Sequence, residues 1–310
     1  MPLIIKRNAV KKYIPDFGKS EIIIPEGIVE IEEMAFEGVD SIRYVKCPST
    51  LTKIGGRAFA RCVNLEEIEV PVDVDMDSSV FHGCRILCNR DFLVVGGHLL
   101  SAALQDSEII IPEGVRVICR EAFDNVRNTL RSVTMPESVE IIGESAFSDC
   151  ALLKKVYLPL HLREIRQNAF HGCVNLEDLL LPEQVETIEA GTFSECHSLA
   201  HIKLPRGLRE IKNNAFNNCN SLREVTVNSN VIILSNAFKN CVSLREVILN
   251  HDCDVTIQEK VFFGCSTLAQ YNGAIYIGNI LYKYVSERKE LYVPSFATKI
   301  AAGAFCNCQT

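Results

Sequence analysis

The chain has 310 residues, a net charge of −7 at neutral pH and a pI of about 5.6. This acidic balance, with no Lys/Arg cluster longer than residues 7–12, excludes nucleic acid and anionic membranes as expected partners. Apolar residues make up 47% of the chain, which is enough for a large core, but no apolar run reaches the roughly 20 residues of a membrane span.

The first predicted element is a β-hairpin over residues 3–14, and similar segments return near 92–104 and 274–285. Each has two β-rich runs around a two-residue turn that needs positive φ. The turns are Arg7-Asn8, Gly96-Gly97 and Gly278-Asn279. We expect the first hairpin to cap the sheet edge at the amino end, and the other two to be either binding protrusions or inert insertions.

The phrase SEIIIPEG follows the first hairpin at 20–27 and returns letter for letter after the second hairpin at 107–114. After the third hairpin, KELYVPSF takes the same place. A copied phrase indicates an internal repeat. We interpret each copy as the strand that re-enters a stack of repeats after a hairpin.

Phenylalanine marks the repeat. Its spacing is 22 to 24 residues, except for two gaps of 42 and 43 residues that span the second and third hairpins. The series is Phe36, Phe59, Phe81, Phe123, Phe147, Phe170, Phe193, Phe216, Phe238, Phe262 and Phe305. A period near 23 residues is typical of a repeat solenoid.

One unit, LKKVYLPLHLREIRQNAFHGC from residue 153, shows the parts of each coil. Val156 and Leu158 alternate with an outward Tyr157, as a half-buried strand requires. Pro159 then makes a corner, because proline cannot donate to a strand ladder. An isoleucine such as Ile165 stands five residues before each repeat phenylalanine except Phe81, where Met76 takes its place. Stacked coils of this kind would pair their strands into a parallel sheet and form a single solenoid over 1–310.

The 14 cysteines mostly follow the same period. Nine stand three residues after a repeat phenylalanine: Cys62, Cys84, Cys150, Cys173, Cys196, Cys219, Cys241, Cys265 and Cys308. An equivalent position in every coil is an interior site, where a free cysteine acts as a small hydrophobe. Cys47 and Cys119 also match core positions, whereas Cys88, Cys253 and Cys306 have no assignment. We expect a mostly reduced chain.

The repeat, as in LAHIKLPRGLREIKNNAFNNC at 199–219, resembles the BspA-like leucine-rich repeat family over nearly the entire chain. The resemblance implies a right-handed leucine-rich-repeat superhelix with a concave parallel β-sheet, mostly β with short turns or 3-10 or helical segments, plus the inserted hairpins. It also implies a surface or secreted protein with a binding or adhesion role. The first 20 residues lack a signal-peptide core, so the compartment stays open and includes the cytoplasm.

The sequence lacks the common motifs of catalytic, metal-binding and phosphate-binding sites. There is no two-by-two Cys/His zinc pattern, Gly-rich phosphate loop, G-x-S-x-G elbow or H-E-x-x-H, so we predict no catalytic residue, metal or cofactor. The acidic group Glu66, Glu67 and Glu69 is interpreted as solvated surface or a weak cation site rather than an acid/base pair. The chain is therefore predicted not to be an enzyme.

The remaining candidate is the outward column of the strands. It reads Lys46, Glu69, Ile110, Thr134, Tyr157, Leu180, Lys203, Thr226, Ile248 and Tyr292. Its middle predicts a mixed aromatic, apolar and charged patch on three adjacent strands, a composition that suits protein interfaces. The patch consists of Lys155, Tyr157, Asp178, Leu180, His201 and Lys203. Plain strand surface is the alternative, since outward positions favour aromatic and β-branched residues in any sheet.

The functional hypothesis is a non-catalytic protein-interaction module that binds a protein through the concave face, with surface adhesion as one form of it. A carbohydrate-acting β-solenoid enzyme is the first alternative, but it needs carboxylates on neighbouring coils and the column offers only Glu69. A purely architectural spacer is the second. After Phe305 no further strand pattern follows, so we expect either that a partner covers the last coil, self-association being one form of this, or that the natural chain continues.

Overall fold

In the computed structural model of the chain, residues 3–16, 18–72, 74–76, 78–88, 91–104, 106–250, 253–286 and 291–306 are described. The strands up to residue 142 are β1 (Leu3–Lys6), β2 (Ala9–Tyr13), β3 (Glu21–Ile23), β4 (Glu30–Ile31), β5 (Tyr44–Lys46), β6 (Lys53–Ile54), β7 (Glu67–Glu69), β8 (Phe92–Val95), β9 (His98–Ala102), β10 (Glu108–Ile110), β11 (Val117–Ile118), β12 (Ser132–Thr134) and β13 (Ile141–Ile142).

The remaining strands are β14 (Lys155–Tyr157), β15 (Glu164–Ile165), β16 (Asp178–Leu180), β17 (Thr187–Ile188), β18 (His201–Lys203), β19 (Glu210–Ile211), β20 (Glu224–Val227), β21 (Val231–Ile233), β22 (Glu246–Leu249), β23 (Val255–Ile257), β24 (Gln270–Tyr271), β25 (Ala274–Ile277), β26 (Ile280–Tyr284) and β27 (Lys299–Ile300). Helical structure is confined, in the described ranges, to the 3-10 turns Ser78–Phe81 and Asp124–Val126 and the α-helical turn Arg85–Cys88.

The chain falls into two compact units. Unit 1 comprises Met1–Gln105 with Gly114–Val126, and unit 2 comprises Asp106–Glu113 with Arg127–Thr310. Each unit is a β-solenoid with parallel sheets, which confirms the predicted fold class. The single domain over 1–310 stays a prediction.

Two sets of strands build unit 1. The strands that precede the corners, called the long strands here, form the parallel sheet β3-β5-β7, in which Ile22, Val45 and Ile68 align and point inward. The short strands after the corners pair separately in the order β2-β4-β6. The alternation of buried and exposed residues explains why three-residue strands suffice, since each buries only its central side chain.

Unit 2 has the same two layers, but its long strands do not form one continuous sheet. They form three sheets, β10-β12-β14, β16-β18 and β20-β22. The short strands continue across one of these breaks, because β17, β19, β21 and β23 form one parallel sheet. The predicted parallel pairing of the long strands is thus present, divided into three segments.

The repeat phenylalanines stack as predicted. In unit 1, Phe36 and Phe59 lie 4.8 Å apart between ring centroids, and Tyr13 of the first hairpin extends the stack at 5.3 Å from Phe36. In unit 2 the stack runs from Phe147 to Phe262 with centroid distances of 4.9 to 5.7 Å. Near-parallel rings at this spacing fill the core with little void.

The last predicted coil departs from the pattern. Phe305 is 45% exposed and Ile300 is 61% exposed, although both were predicted in the core. Phe305 is in ring contact with Tyr284 at 6.1 Å between ring centroids. Self-association through this coil stays a prediction.

The buried cysteines have a second role that the sequence interpretation missed. In most coils the thiol after the repeat phenylalanine donates to the backbone carbonyl of the phenylalanine one coil earlier, as Cys62 Sγ does to Phe36 O at 3.1 Å. The same bond recurs at 2.9 to 3.2 Å from Cys84, Cys173, Cys196, Cys219, Cys241 and Cys265. None of the thirteen cysteines in the described ranges forms a disulfide, and Cys308 lies outside these ranges.

Two left-handed residues flank the phenylalanine in most coils, two positions before it and two positions after it. Around Phe170 these are Asn168, with φ of 55°, and Gly172, with φ of 70°. Asparagine and glycine tolerate this region best, which explains their frequency in the turns. The tight turn brings each chain back to the next long strand.

The three predicted hairpins pair antiparallel as β1-β2, β8-β9 and β25-β26. In each, the second strand also pairs in parallel with the next short strand, as Val10 does with Ile31. The first hairpin therefore covers the edge of the short-strand sheet. Among the described strands, none pairs with the outer edge of the long strand β3. The predicted cap is thus present on the short-strand layer and not on the long-strand layer. The copied phrases form β3 and β10, each the first strand of a sheet. Of KELYVPSF, residues 289 and 290 lie outside the described ranges and the rest is not a strand.

Candidate functional site

The six predicted patch residues are the first and third residues of three long strands of unit 2, and their side chains point away from the core. Lys155 and Tyr157 come from β14, Asp178 and Leu180 from β16, and His201 and Lys203 from β18. All six side chains are exposed, with Tyr157 at 55% and Leu180 at 65%. The period-two alternation of each strand places them there, because the central residue points into the core.

Strands β16 and β18 bring four of these residues together. Asp178 aligns with His201, and Leu180 aligns with Lys203. Asp178 Oδ1 and His201 Nδ1 are 3.1 Å apart, but both side chains are well exposed, so this pair adds little stability. It gives the patch a polar edge beside Leu180.

Strand β14 joins a different sheet. Tyr157 aligns with Thr134 of β12, and no ladder links β14 to β16 among the described strands. The two coils remain neighbours, because Lys154 Nζ lies 3.5 Å from Glu177 Oε1. The predicted patch is therefore divided by a break in backbone pairing, which the sequence did not predict.

Burial in the core layer changes at the same place. Val156 and Leu158 are only half-buried, whereas Leu179 and Leu181, at the same positions of the next coil, are buried. Partly exposed apolar side chains thus flank the exposed ring of Tyr157 along its strand.

Two further exposed apolar side chains belong to this surface. Ile110 is 75% exposed and aligns with Thr134, which in turn aligns with Tyr157. Ile110 therefore lies two strands away from Tyr157 in the same sheet. Leu160, 72% exposed, follows the corner proline three residues after Tyr157. Sequence reasoning included Ile110 in the outward column but not in the patch, and missed Leu160. A signal existed, since the neighbouring coils carry Glu137 and Glu183 where this coil has Leu160.

The acidic group of unit 1 forms ion pairs rather than a catalytic pair. Glu69 accepts a hydrogen bond from Tyr44 Oη at 2.5 Å and pairs with Lys46 Nζ at 3.0 Å. These contacts, led by the Tyr44 hydrogen bond, lower the pKa of Glu69, while the same bond raises the pKa of Tyr44 to about 12. Glu66 pairs with Arg43 at 2.9 Å. A carboxylate held ionised in this way is a poor general acid.

The buried thiols lack the properties of nucleophiles. Burial raises the pKa of Cys62 to about 11 and that of Cys47 to about 12, and it raises the pKa of Cys196 well above its ordinary value. A nucleophilic cysteine needs a lowered pKa and partial exposure. Within the described ranges, no group of three or more His, Cys, Asp or Glu side chains is placed to hold a metal ion.

None of the helical turns in the part of the chain that the structure describes has the length and apolar character needed to span a bilayer. The site is thus an exposed, mixed surface on a β-solenoid, which is the architecture of a leucine-rich repeat protein.

The chain belongs to the BspA-type leucine-rich repeat family: the family model, BspA type Leucine rich repeat region, matches in 6 copies at residues 17–94, 101–223 and 186–310. Among solved structures, the leucine-rich repeat protein TpLRR of T. pallidum is 31% identical with a TM-score of 0.51, over 56% of this chain and 83% of that chain. A leucine rich cell surface protein from Faecalibacterium prausnitzii is 21% identical with a TM-score of 0.37, over 86% and 91% of the two chains. No curated protein matches the chain.

Proposed function

We propose that the chain is a non-catalytic protein-interaction module whose binding surface is the outward face of the long strands in unit 2. The single observation that carries this proposal is the group of large apolar side chains held in solvent there. These are Ile110, Tyr157, Leu160 and Leu180, all between 55% and 75% exposed. Exposed apolar residues that cluster, rather than being scattered singly, mark interaction sites.

The composition of the surface supports a protein partner. Tyr157 and Leu180 offer apolar area, while Lys155, Lys203 and the Asp178–His201 pair form a polar rim. Aromatic anchors within a polar rim are typical of protein interfaces. The half-buried Val156 beside the break offers further apolar contact. Adhesion at a cell surface is the finer form of this proposal that the family resemblance favours.

The enzyme alternative has less support. A glycosidase needs one carboxyl group that stays protonated beside a second carboxylate. Glu69, the one carboxylate in the outward column, has a lowered pKa and is already paired with Tyr44 and Lys46. A spacer would have no reason to keep Leu180 and Tyr157 exposed.

The test uses a double variant, Tyr157→Ala with Leu180→Asp, in the full chain. Proteins captured by the wild-type chain from native fractions are identified and purified, and their Kd is measured by calorimetry. Burial of these two side chains in an interface contributes roughly 3 kcal/mol, so we expect about a hundredfold weaker binding. Ile232→Asp is the matched control, because Ile232 is an exposed outward residue on the short strand β21. An equal Kd for the double variant and the wild type would remove the proposal, and the absence of any specific partner would favour the spacer.

A further inference from the structure

A cavity of about 270 Å³ lies in unit 2 where the third hairpin interrupts the phenylalanine stack. Phe238 and Phe262 stack with an interplanar angle of 12°, but the next aromatic ring, Tyr282 of β26, meets Phe262 edge-on at 86°. The ring that should continue the stack is replaced by the edge of a tyrosine. The interruption leaves space that the earlier coils fill with side chains.

The backbone shows the same interruption. In most coils the N–H two residues after the repeat phenylalanine donates to the following coil, as Asn218 N does to Lys239 O at 2.8 Å and Asn240 N does to Phe263 O at 2.7 Å. The equivalent N–H of Gly264 has no partner among the described residues, and Gly264 lines the cavity. Phe262 N instead donates to Tyr282 Oη at 3.0 Å. One backbone donor is thus left at the cavity wall.

The walls are apolar and the rim is cationic. Phe262, Phe263, Ile275 and Tyr282 supply rings and aliphatic surface. The rim carries Lys260 and Lys283, against the single carboxylate of Glu259. Seven other lysines of the described ranges pair with a carboxylate, among them Lys154 with Glu177 and Lys212 with Glu189. Neither Lys260 nor Lys283 has an ion-pair partner among the described residues, so both are available to an anion.

We infer that this cavity is a binding site for a small amphipathic carboxylate, whose apolar body lies against Phe262 and Tyr282 and whose carboxylate takes the donors of Lys260, Lys283 and Gly264. A volume just below the roughly 300–1,000 Å³ of drug-sized pockets suits such a ligand. Burial raises the pKa of Tyr282 to about 12, so its hydroxyl stays neutral and does not repel the anion. Charge-assisted bonds to an exposed rim supply orientation, and the rings supply contact area.

The inference is independent of the proposed protein partner and is tested with three probes that share one apolar body: 3-phenylpropionate, neutral 3-phenylpropanamide and cationic 3-phenylpropylammonium. Binding to the full chain is followed by calorimetry and by the NMR shift of the Gly264 amide. We expect the carboxylate to bind about tenfold more tightly than the amide and to move the Gly264 signal. The ammonium probe is expected not to bind.

Variants separate the charged and apolar parts. Lys260→Gln and Lys283→Gln should each weaken 3-phenylpropionate binding about tenfold and leave the amide unchanged. Phe263→Ala should weaken both probes alike. Lys203→Gln, a lysine that does not line the cavity, is the control. Equal affinities for carboxylate and amide would overturn the anion assignment, and an unmoved Gly264 signal with every probe at millimolar concentration would overturn the site.

Discussion

Replacing one ladder cysteine, Cys196→Ala, tests whether these thiols act as hydrogen-bond donors as well as core atoms. Cys196 is fully buried, and its Sγ donates to Phe170 O at 3.2 Å. The same carbonyl also accepts from Cys173 N at 3.3 Å, so removal of the thiol does not strand it completely. The lost bond therefore costs about 1 kcal/mol, at the low end for a buried acceptor. Loss of the buried sulfur adds about 1 kcal/mol.

We expect a loss of about 2 kcal/mol in the free energy of unfolding for Cys196→Ala, measured by urea denaturation. Cys196→Ser should cost about 3 kcal/mol, because the shorter C–O bond moves the hydroxyl away from Phe170 O and leaves it poorly paired. Cys253→Ala, at a half-buried site off the ladder, is the control and should cost below about 0.5 kcal/mol. The S–H Raman band of the wild type should lie at the position of hydrogen-bonded thiols. A serine variant no less stable than the alanine variant would refute this reasoning.

A thiol reagent applied to the folded chain should modify Cys88, Cys253 and Cys306, as read by mass spectrometry. Cys173 and Cys196 should stay unmodified, because burial shields them and raises their pKa. Fast labelling of Cys173 or Cys196 would contradict this. Tyr44→Phe should raise the pKa of Glu69 towards its ordinary value, as followed by carboxyl NMR. Because the pKa of Glu69 is lowered in the folded chain, Glu69 contributes stability above its unfolded pKa, and this stability is lost as the pH falls through the folded pKa. An unchanged titration of Glu69 would contradict the role given to Tyr44. Asn214 has φ of 58°, so Asn214→Ala should lower the free energy of unfolding by about 1 kcal/mol, whereas Asn214→Gly should be nearly neutral. Asn220 does not have positive φ, and Asn220→Ala is the control. Equal losses for the two alanine variants would contradict the backbone argument.

The sequence predicted the elements that repeat with a period, and it failed where backbone geometry decides. Phe170, Ile165 and Cys173 lie in the core as expected, because side-chain burial follows directly from spacing. The break between β14 and β16 could not be predicted, since Val156 and Leu179 are equally suited to a strand and the difference lies in whether their backbones pair.

The candidate site follows the same division. The exposure of Tyr157 and Leu180 could be predicted, because the alternation of inward and outward residues along a strand can be read from the sequence. The cavity at Phe262 depends on the 86° turn of Tyr282 against that ring, and no spacing rule gives a ring orientation. The exposure of Phe305 likewise depends on which side chains pack against it, and the spacing of the phenylalanines does not give this.

The pairing of each hairpin also bears on how the chain acquires its structure. Contacts between successive coils join residues about 23 positions apart, whereas a hairpin such as Ile277 with Ile280 closes a loop of a few residues at small entropic cost. Its second strand then presents a ready edge on which the next short strand can assemble, as Leu281 does for Ile300. We therefore expect assembly to start from three places, each seeding the coils that come after it, instead of advancing from one end.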